Sequence, residues 1–95
     1  MSTQLCKKCR VTGRVQGVFF RDTTRSKAFE LGVSGSAVNL RDGSVEVIAW
    51  GSPNDVEALC QWLWQGSDMA RVDAVECEAV DIGKYEKTSQ TFSIG

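Results

Sequence analysis

The 95-residue sequence contains no histidine. That absence removes Ser-His-Asp and Cys-His nucleophilic pairs, histidine general bases and every zinc site that needs imidazole. Long apolar runs are missing too: nothing approaches a membrane-spanning length, and Met1–Gly13 scatters Lys7, Lys8 and Arg10 among isolated apolar residues, with no secretory core. A cytoplasmic protein that engages no membrane is expected. Nor is there an excess of one charge, since 11 Lys plus Arg against 12 Asp plus Glu leave −1, so no global positive field exists to gather nucleic acid.

What is present is ordinary globular composition, 42% hydrophobic and 24% charged, in a chain the size of one domain spanning residues 1–95. Such a length supports a thin core and no large enclosed chamber. Of the four cysteines, only Cys6 and Cys9 form a C-x-x-C, and Cys60 with Cys77 supplies no second one, so no metal site is expected. Without a secretory signal the even count need not form a disulfide framework. Cys6 and Cys9 take opposite faces of one strand, which keeps them from bonding to each other.

Residues 4–13 alternate as a strand, with Leu5, Cys9 and Val11 on an apolar face and Cys6, Lys8, Arg10 and Thr12 on the other. Between Asp22 and Leu31, Thr24, Ala28 and Leu31 recur at helical spacing, and Gly32 stands where a left-handed cap belongs. The segments 36–40 and 44–50 flank Arg41-Asp42-Gly43, a hairpin signal. Val45, Val47 and Ala49 then form an inner face, leaving Ile48 and Trp50 on an exposed sheet face. Ser52-Pro53 opens a second helix whose stripe is Val56, Leu59, Cys60 and Leu63, closed by Gly66, with Trp62 and Trp64 half-buried beside it. Residues 71–80 alternate with one parity change, which a bulge near Ala74 reconciles. Residues 81–90 read as a loop, and Phe92 with Ile94 as a short last strand. The order β-α-β-β-α-β is that of a ferredoxin-like α/β sandwich: an antiparallel sheet, two helices on one face, and an extra short C-terminal strand.

The chemistry concentrates in Gly13-Arg14-Val15-Gln16-Gly17-Val18-Phe19-Phe20-Arg21, between the first strand and the first helix. A glycine-bearing loop at that junction can aim successive N–H groups at one spot beside the positive end of a helix, and Arg21 adds a planar fork of donors suited to phosphate. Phe19 and Phe20 are expected in the core behind this cradle. Gly-x-x-x-Gly at such a junction is also common, and an arginine at a helix start is more often a solvated surface residue, so spacing alone leaves both readings open. Asn39 before Asp42-Gly43 is on its own ordinary turn chemistry. The Lys-Ser or Lys-Thr of a Walker loop and the third glycine of a dinucleotide fingerprint are both missing.

The same segment, followed by Asn39-Leu40-Arg41-Asp42-Gly43-Ser44-Val45-Glu46, closely resembles the acylphosphatase family, and the likeness spans essentially the whole domain. The resemblance implies a small monomeric hydrolase that splits acyl phosphates, as small-molecule substrates, into a carboxylate and inorganic phosphate without metal, other cofactor or covalent intermediate. It implies Arg21 as the phosphate-binding arginine and Asn39 as the asparagine that holds the attacking water. Arg14, Val15, Gln16, Gly17, Val18, Phe19 and Phe20 become the phosphate-binding loop. Ser36 departs from the pattern, standing where the family usually has an aromatic residue, which implies a less well packed patch of sheet. Two other classes share the scaffold: a non-catalytic anion-binding regulatory module, and an RNA-binding sheet. The second is opposed by the −1 charge and a first strand without an outward aromatic.

Overall fold

The computed structural model describes residues 4–81, 83 and 92–95. In chain order its elements are β1 (Leu5–Arg14), α1 (Phe20–Leu31), β2 (Ser34–Asn39), β3 (Val45–Gly51), α2 (Pro53–Leu63), β4 (Arg71–Ala79) and β5 (Phe92–Ile94). They build one sheet in the order β4-β1-β3-β2-β5. The first four strands pair antiparallel, whereas β5 runs parallel to β2, with Phe92 opposite Gly35 and Ile94 opposite Ala37. The ferredoxin-like plan therefore holds, with the extra strand making the sheet mixed. The loop expected over 81–90 lies outside the described residues, apart from Asp81 and Gly83.

Both helices lay their apolar stripes on one sheet face. Phe20, Thr24 and Ala28 of α1 are buried, as are Val56, Leu59, Cys60 and Leu63 of α2. Beneath them Val45, Val47 and Ala49 of β3 have no exposed surface, which is the inner face read from alternation. Truncating Leu59 or Leu63 to alanine in such a core costs about 2–5 kcal/mol. Helix α1 starts two residues earlier than its periodicity announced. It ends at Gly32, in the left-handed conformation at φ 72°, where the Val33 N–H reaches the Ala28 carbonyl at 2.8 Å. At the start of α2 the Ser52 hydroxyl donates to the Asp55 carboxylate at 2.8 Å instead of capping a backbone N–H.

The expected bulge is present. Thr12 faces Ala74 but Gly13 faces Val72, so Asp73 is the extra residue on β4. A Cβ on Gly13, whose φ is 124°, would stand 2.2 Å from the Arg71 carbonyl oxygen. Glycine alone lets β4 come this close where β1 turns toward α1.

The other sheet face departs from expectation. Ile48 and Trp50, read as exposed, and Cys6, on the outward parity of β1, are only 4%, 5% and 2% exposed and cluster with Val80. Strand parity assigns a residue to a face; it does not say whether that face is covered. Ser36 pairs with Ile48 in the β2–β3 ladder, so the small residue there leaves its neighbour buried all the same. Trp62 is half-buried as expected, whereas Trp64, the C-cap residue just after α2, is exposed.

Candidate active site

Arg14 closes β1 and Phe20 opens α1, so the link proper is Val15–Phe19. This shortens the loop read from the sequence at both ends. Arg14 sits opposite Arg71 in the β1–β4 ladder, exposed, and Phe20 belongs to the helix. Within the link, buried Val15 and Val18 root the chain in the core while Gly17 and Phe19 stay outside. The expectation for the two phenylalanines is half right. Phe20 is 1% exposed and packs near Trp62, at 6.3 Å between ring centroids, but Phe19 is 71% exposed.

Gly17 lies at φ 73° and Phe19 at φ 61°, ψ 22°, both left-handed. Left-handed residues among right-handed ones curl a chain so that successive N–H groups converge into an anion-binding nest. Glycine takes this conformation without cost, whereas a bulky aromatic residue held there stores about 1–3 kcal/mol of strain.

Three side chains hold the link in this shape. The Gln16 amide donates to the Leu40 carbonyl at 2.8 Å and the Ser44 carbonyl at 2.9 Å. The Ser67 hydroxyl donates to the Val18 carbonyl at 2.7 Å, and the Thr23 hydroxyl to that of Phe19 at 2.8 Å. The Val18 and Phe19 carbonyls are thereby engaged, which leaves the N–H groups of that part of the loop as its free polar groups. Among the described residues none of the Val15–Phe19 N–H groups donates to a protein acceptor. Those of Phe20, Arg21 and Asp22 open the helix and have no intrahelical acceptor. The positive end of the α1 dipole adds to the attraction for an anion.

Arg21 stands in the first turn of α1. One of its Nη atoms donates to the Gly95 carbonyl, which leaves the remaining guanidinium donors for a ligand. It shares the wall of a cavity of about 270 Å³ with Val15, Gly17, Phe19, Phe20 and Ile94. The carboxylate in that wall, Asp22, pairs with Arg25 at 3.4 Å, which offsets its repulsion of an anion.

Asn39 does not line this cavity. It is the exposed last residue of β2, opposite Val45. Two links hold it at the same end of the sheet. Its neighbour Leu40 accepts the Gln16 amide, and Ala37 pairs with Ile94, which does line the cavity. The hairpin after it is set by Asp42, whose Oδ1 accepts the Ser44 N–H at 2.9 Å and the Ser44 hydroxyl at 2.5 Å, and whose Oδ2 pairs with Arg10. Those bonds, the Ser44 hydroxyl first and then its N–H and Arg10, hold the Asp42 carboxyl down at about 2. The brace from Ser67 carried no signal in the sequence, where Gly66-Ser67 reads only as the end of a helix.

Residues 7–94 match the acylphosphatase family model. The chain belongs to the acylphosphatase family. It is 51% identical over 81 residues to an acylphosphatase of Nitrosococcus oceani, covering 85% of this chain and 91% of that protein. With an acylphosphatase of Halorhodospira halophila it shares 46% over 94 residues, 99% of this chain and 98% of the other. Among solved structures, an acylphosphatase from Coxiella burnetii superposes with a TM-score of 0.87 at 36% identity, covering 97% of this chain and 93% of that one. As a member of the acylphosphatase family the chain is a hydrolase, and the family likeness read from the two motifs stands.

Proposed function

We propose that this chain hydrolyses the carboxyl–phosphate bond of small acyl phosphates by direct attack of water, with the Val15–Phe19 loop and Arg21 holding the phosphoryl group and Asn39 positioning the water. The observation that supports the proposal is one small cavity walled by Val15, Gly17, Phe19 and Arg21 at the N-terminus of α1, beside loop N–H groups that meet no acceptor among the described residues. Such an array binds a phosphoryl group and spreads its charge as the transition state forms.

The sequence also lacks the group a harder reaction would need. An acyl phosphate expels a carboxylate, a good leaving group that needs no general acid, so a site without histidine suffices. A phosphate monoester expels an alkoxide or phenoxide and would need protonation. The side-chain amide of Asn39 can accept from a water and orient it but is too weak a base to take its proton. The proton passes to a phosphoryl oxygen of the substrate, the attacking oxygen bonds to phosphorus, and the carboxylate leaves with the bonding pair.

Wild-type protein incubated with benzoyl phosphate in the presence of a metal chelator tests this reading, with phenyl phosphate run alongside. Rapid release of benzoate with phenyl phosphate untouched is expected. Phosphate binding without hydrolysis of either compound would make the site an anion sensor.

A further inference from the structure

Three of the four cysteines meet in the core, well away from the phosphate cradle. Cys9 on β1 and Cys77 on β4 are directly opposed in the ladder and joined by a disulfide. Cys60 on α2 is a free thiol whose Sγ lies 3.5 Å from that of Cys9, and the three sulfurs lie within 4.8 Å of one another. The fourth, Cys6, is buried on the opposite face with Ile48 and Trp50. Alternation along β1 thus separates a three-sulfur cluster from an isolated thiol.

We propose that Cys9, Cys60 and Cys77 form a thiol–disulfide exchange site in which the bond to Cys9 migrates from Cys77 to Cys60, exposing Cys77 as a site for S-thiolation by low-molecular-weight disulfides. Disulfides rearrange by in-line attack of a thiolate on a disulfide sulfur, and Cys60 is in van der Waals contact with one; because all three sulfurs lie within 4.8 Å, the Cys60 side chain must first swing opposite the Cys9–Cys77 bond. Cys60 gives up its proton, its sulfur bonds to Cys9 Sγ, the Cys9–Cys77 bond breaks, and Cys77 leaves as a thiolate that takes up a proton. One disulfide and one thiol are present before and after, so no oxidant is consumed.

The two isomers differ in access. Cys9 has no exposed surface and Cys60 is 8% exposed under its helix, whereas Cys77 is half-buried on β4, an edge strand of the sheet. Once released, the Cys77 thiolate attacks a small disulfide of the glutathione type. A mixed disulfide forms at Cys77 and one equivalent of the small thiol departs, the added disulfide being the oxidant. Burial pushes the Cys60 thiol above its ordinary value, while nearby Lys7, itself paired with Glu57, pulls the other way. The thiolate is therefore scarce and migration slow, on the minutes-to-hours scale of uncatalysed rearrangement.

The test is to incubate the air-oxidised protein with glutathione disulfide, quench with acid, and map peptides without reduction. The expected result is one adduct on Cys77, with Cys9 linked to Cys60 in the same molecules and Cys6 unmodified. Cys60→Ser and, as a second variant in case serine disturbs the core, Cys60→Ala should show at least a tenfold loss of the Cys77 adduct while retaining the Cys9–Cys77 link. Equal modification of Cys77 in wild type and a folded Cys60 variant would overturn the proposal. So would an adduct on Cys60 itself, absence of any Cys9–Cys60 linkage in wild type, or an air-oxidised protein in which Cys9 and Cys77 are not joined.

Discussion

The side-chain nitrogen of Gln16 stands 2.8 Å from the carbonyl oxygen of Leu40, the residue that follows Asn39. This contact, with its partner to Ser44, fastens the Val15–Phe19 loop to the β2–β3 hairpin. The loop and Asn39, the residue proposed to position the water, come from different segments, and Gln16 ties the loop to the hairpin that follows Asn39.

Replacing Gln16 by leucine should therefore damage catalysis more than binding. The Leu40 and Ser44 carbonyls would lose a shared donor but keep the N–H groups of Gly43 and Leu40, so stability should fall by only about 0.5–1.5 kcal/mol per bond lost. With the hairpin after Asn39 no longer tied to the loop, kcat should fall about tenfold or more while KM changes little. Steady-state kinetics with benzoyl phosphate and urea denaturation of the same variant measure the two effects. An unchanged kcat would show that the brace supports the fold alone.

Phe19 offers the opposite trade. Its backbone is left-handed at φ 61° and its side chain is 71% exposed, so Phe19→Gly removes strain while sacrificing little buried surface. Stability should rise by about 0.5–1 kcal/mol, part of the cost of holding a non-glycine residue in this region. A looser loop should meanwhile weaken inhibition by inorganic phosphate. The denaturation midpoint and the phosphate inhibition constant report the two consequences independently.

Asp42 predicts an acid limb in stability. Its carboxyl is held at about 2, below the ordinary range near 4, by the Ser44 hydroxyl and N–H and then by Arg10. A folded-state value below the unfolded one means that the carboxylate stabilises the native state above about pH 4, and that this contribution fades as pH falls toward 2. Asp42→Asn should accordingly be less stable than wild type at neutral pH, with the gap closing below about pH 4. Parallel urea titrations from pH 7 to pH 2 give the comparison; a gap independent of pH would assign the loss to shape rather than charge.

Periodicity and turn chemistry made most of the fold legible in the sequence. The β3 inner face, the Gly32 cap, the Pro53 helix start and the bulge at Ala74 are all local consequences of residue type. What escaped is what depends on two segments meeting. The ferredoxin-like plan sets β4 beside β1 but not their register, so the Cys9–Cys77 bond could not be read, and no local signal joins Ser67 to the Val18 carbonyl. The burial of Ile48 and Trp50 escaped for the same reason, because alternation identifies a face without its cover. At the site, Arg21 and the loop stood out through glycine spacing and the helix start. Asn39 gained meaning only through family resemblance, since an asparagine before a turn is ordinary, and its link to the cradle runs through Gln16.

The central claim is a division of labour: Arg21 and the loop hold the phosphoryl group, and Asn39 positions the water. Measuring kcat with benzoyl phosphate together with the inhibition constant of inorganic phosphate, for wild type, Asn39→Ala and Arg21→Ala, tests it most directly. The account predicts that Asn39→Ala loses kcat by about 100-fold or more with phosphate affinity nearly intact, while Arg21→Ala loses both, as expected when one group acts only in the transition state and the other also binds the ground state. Equal losses of phosphate affinity in the two variants, or full turnover in Asn39→Ala, would contradict it.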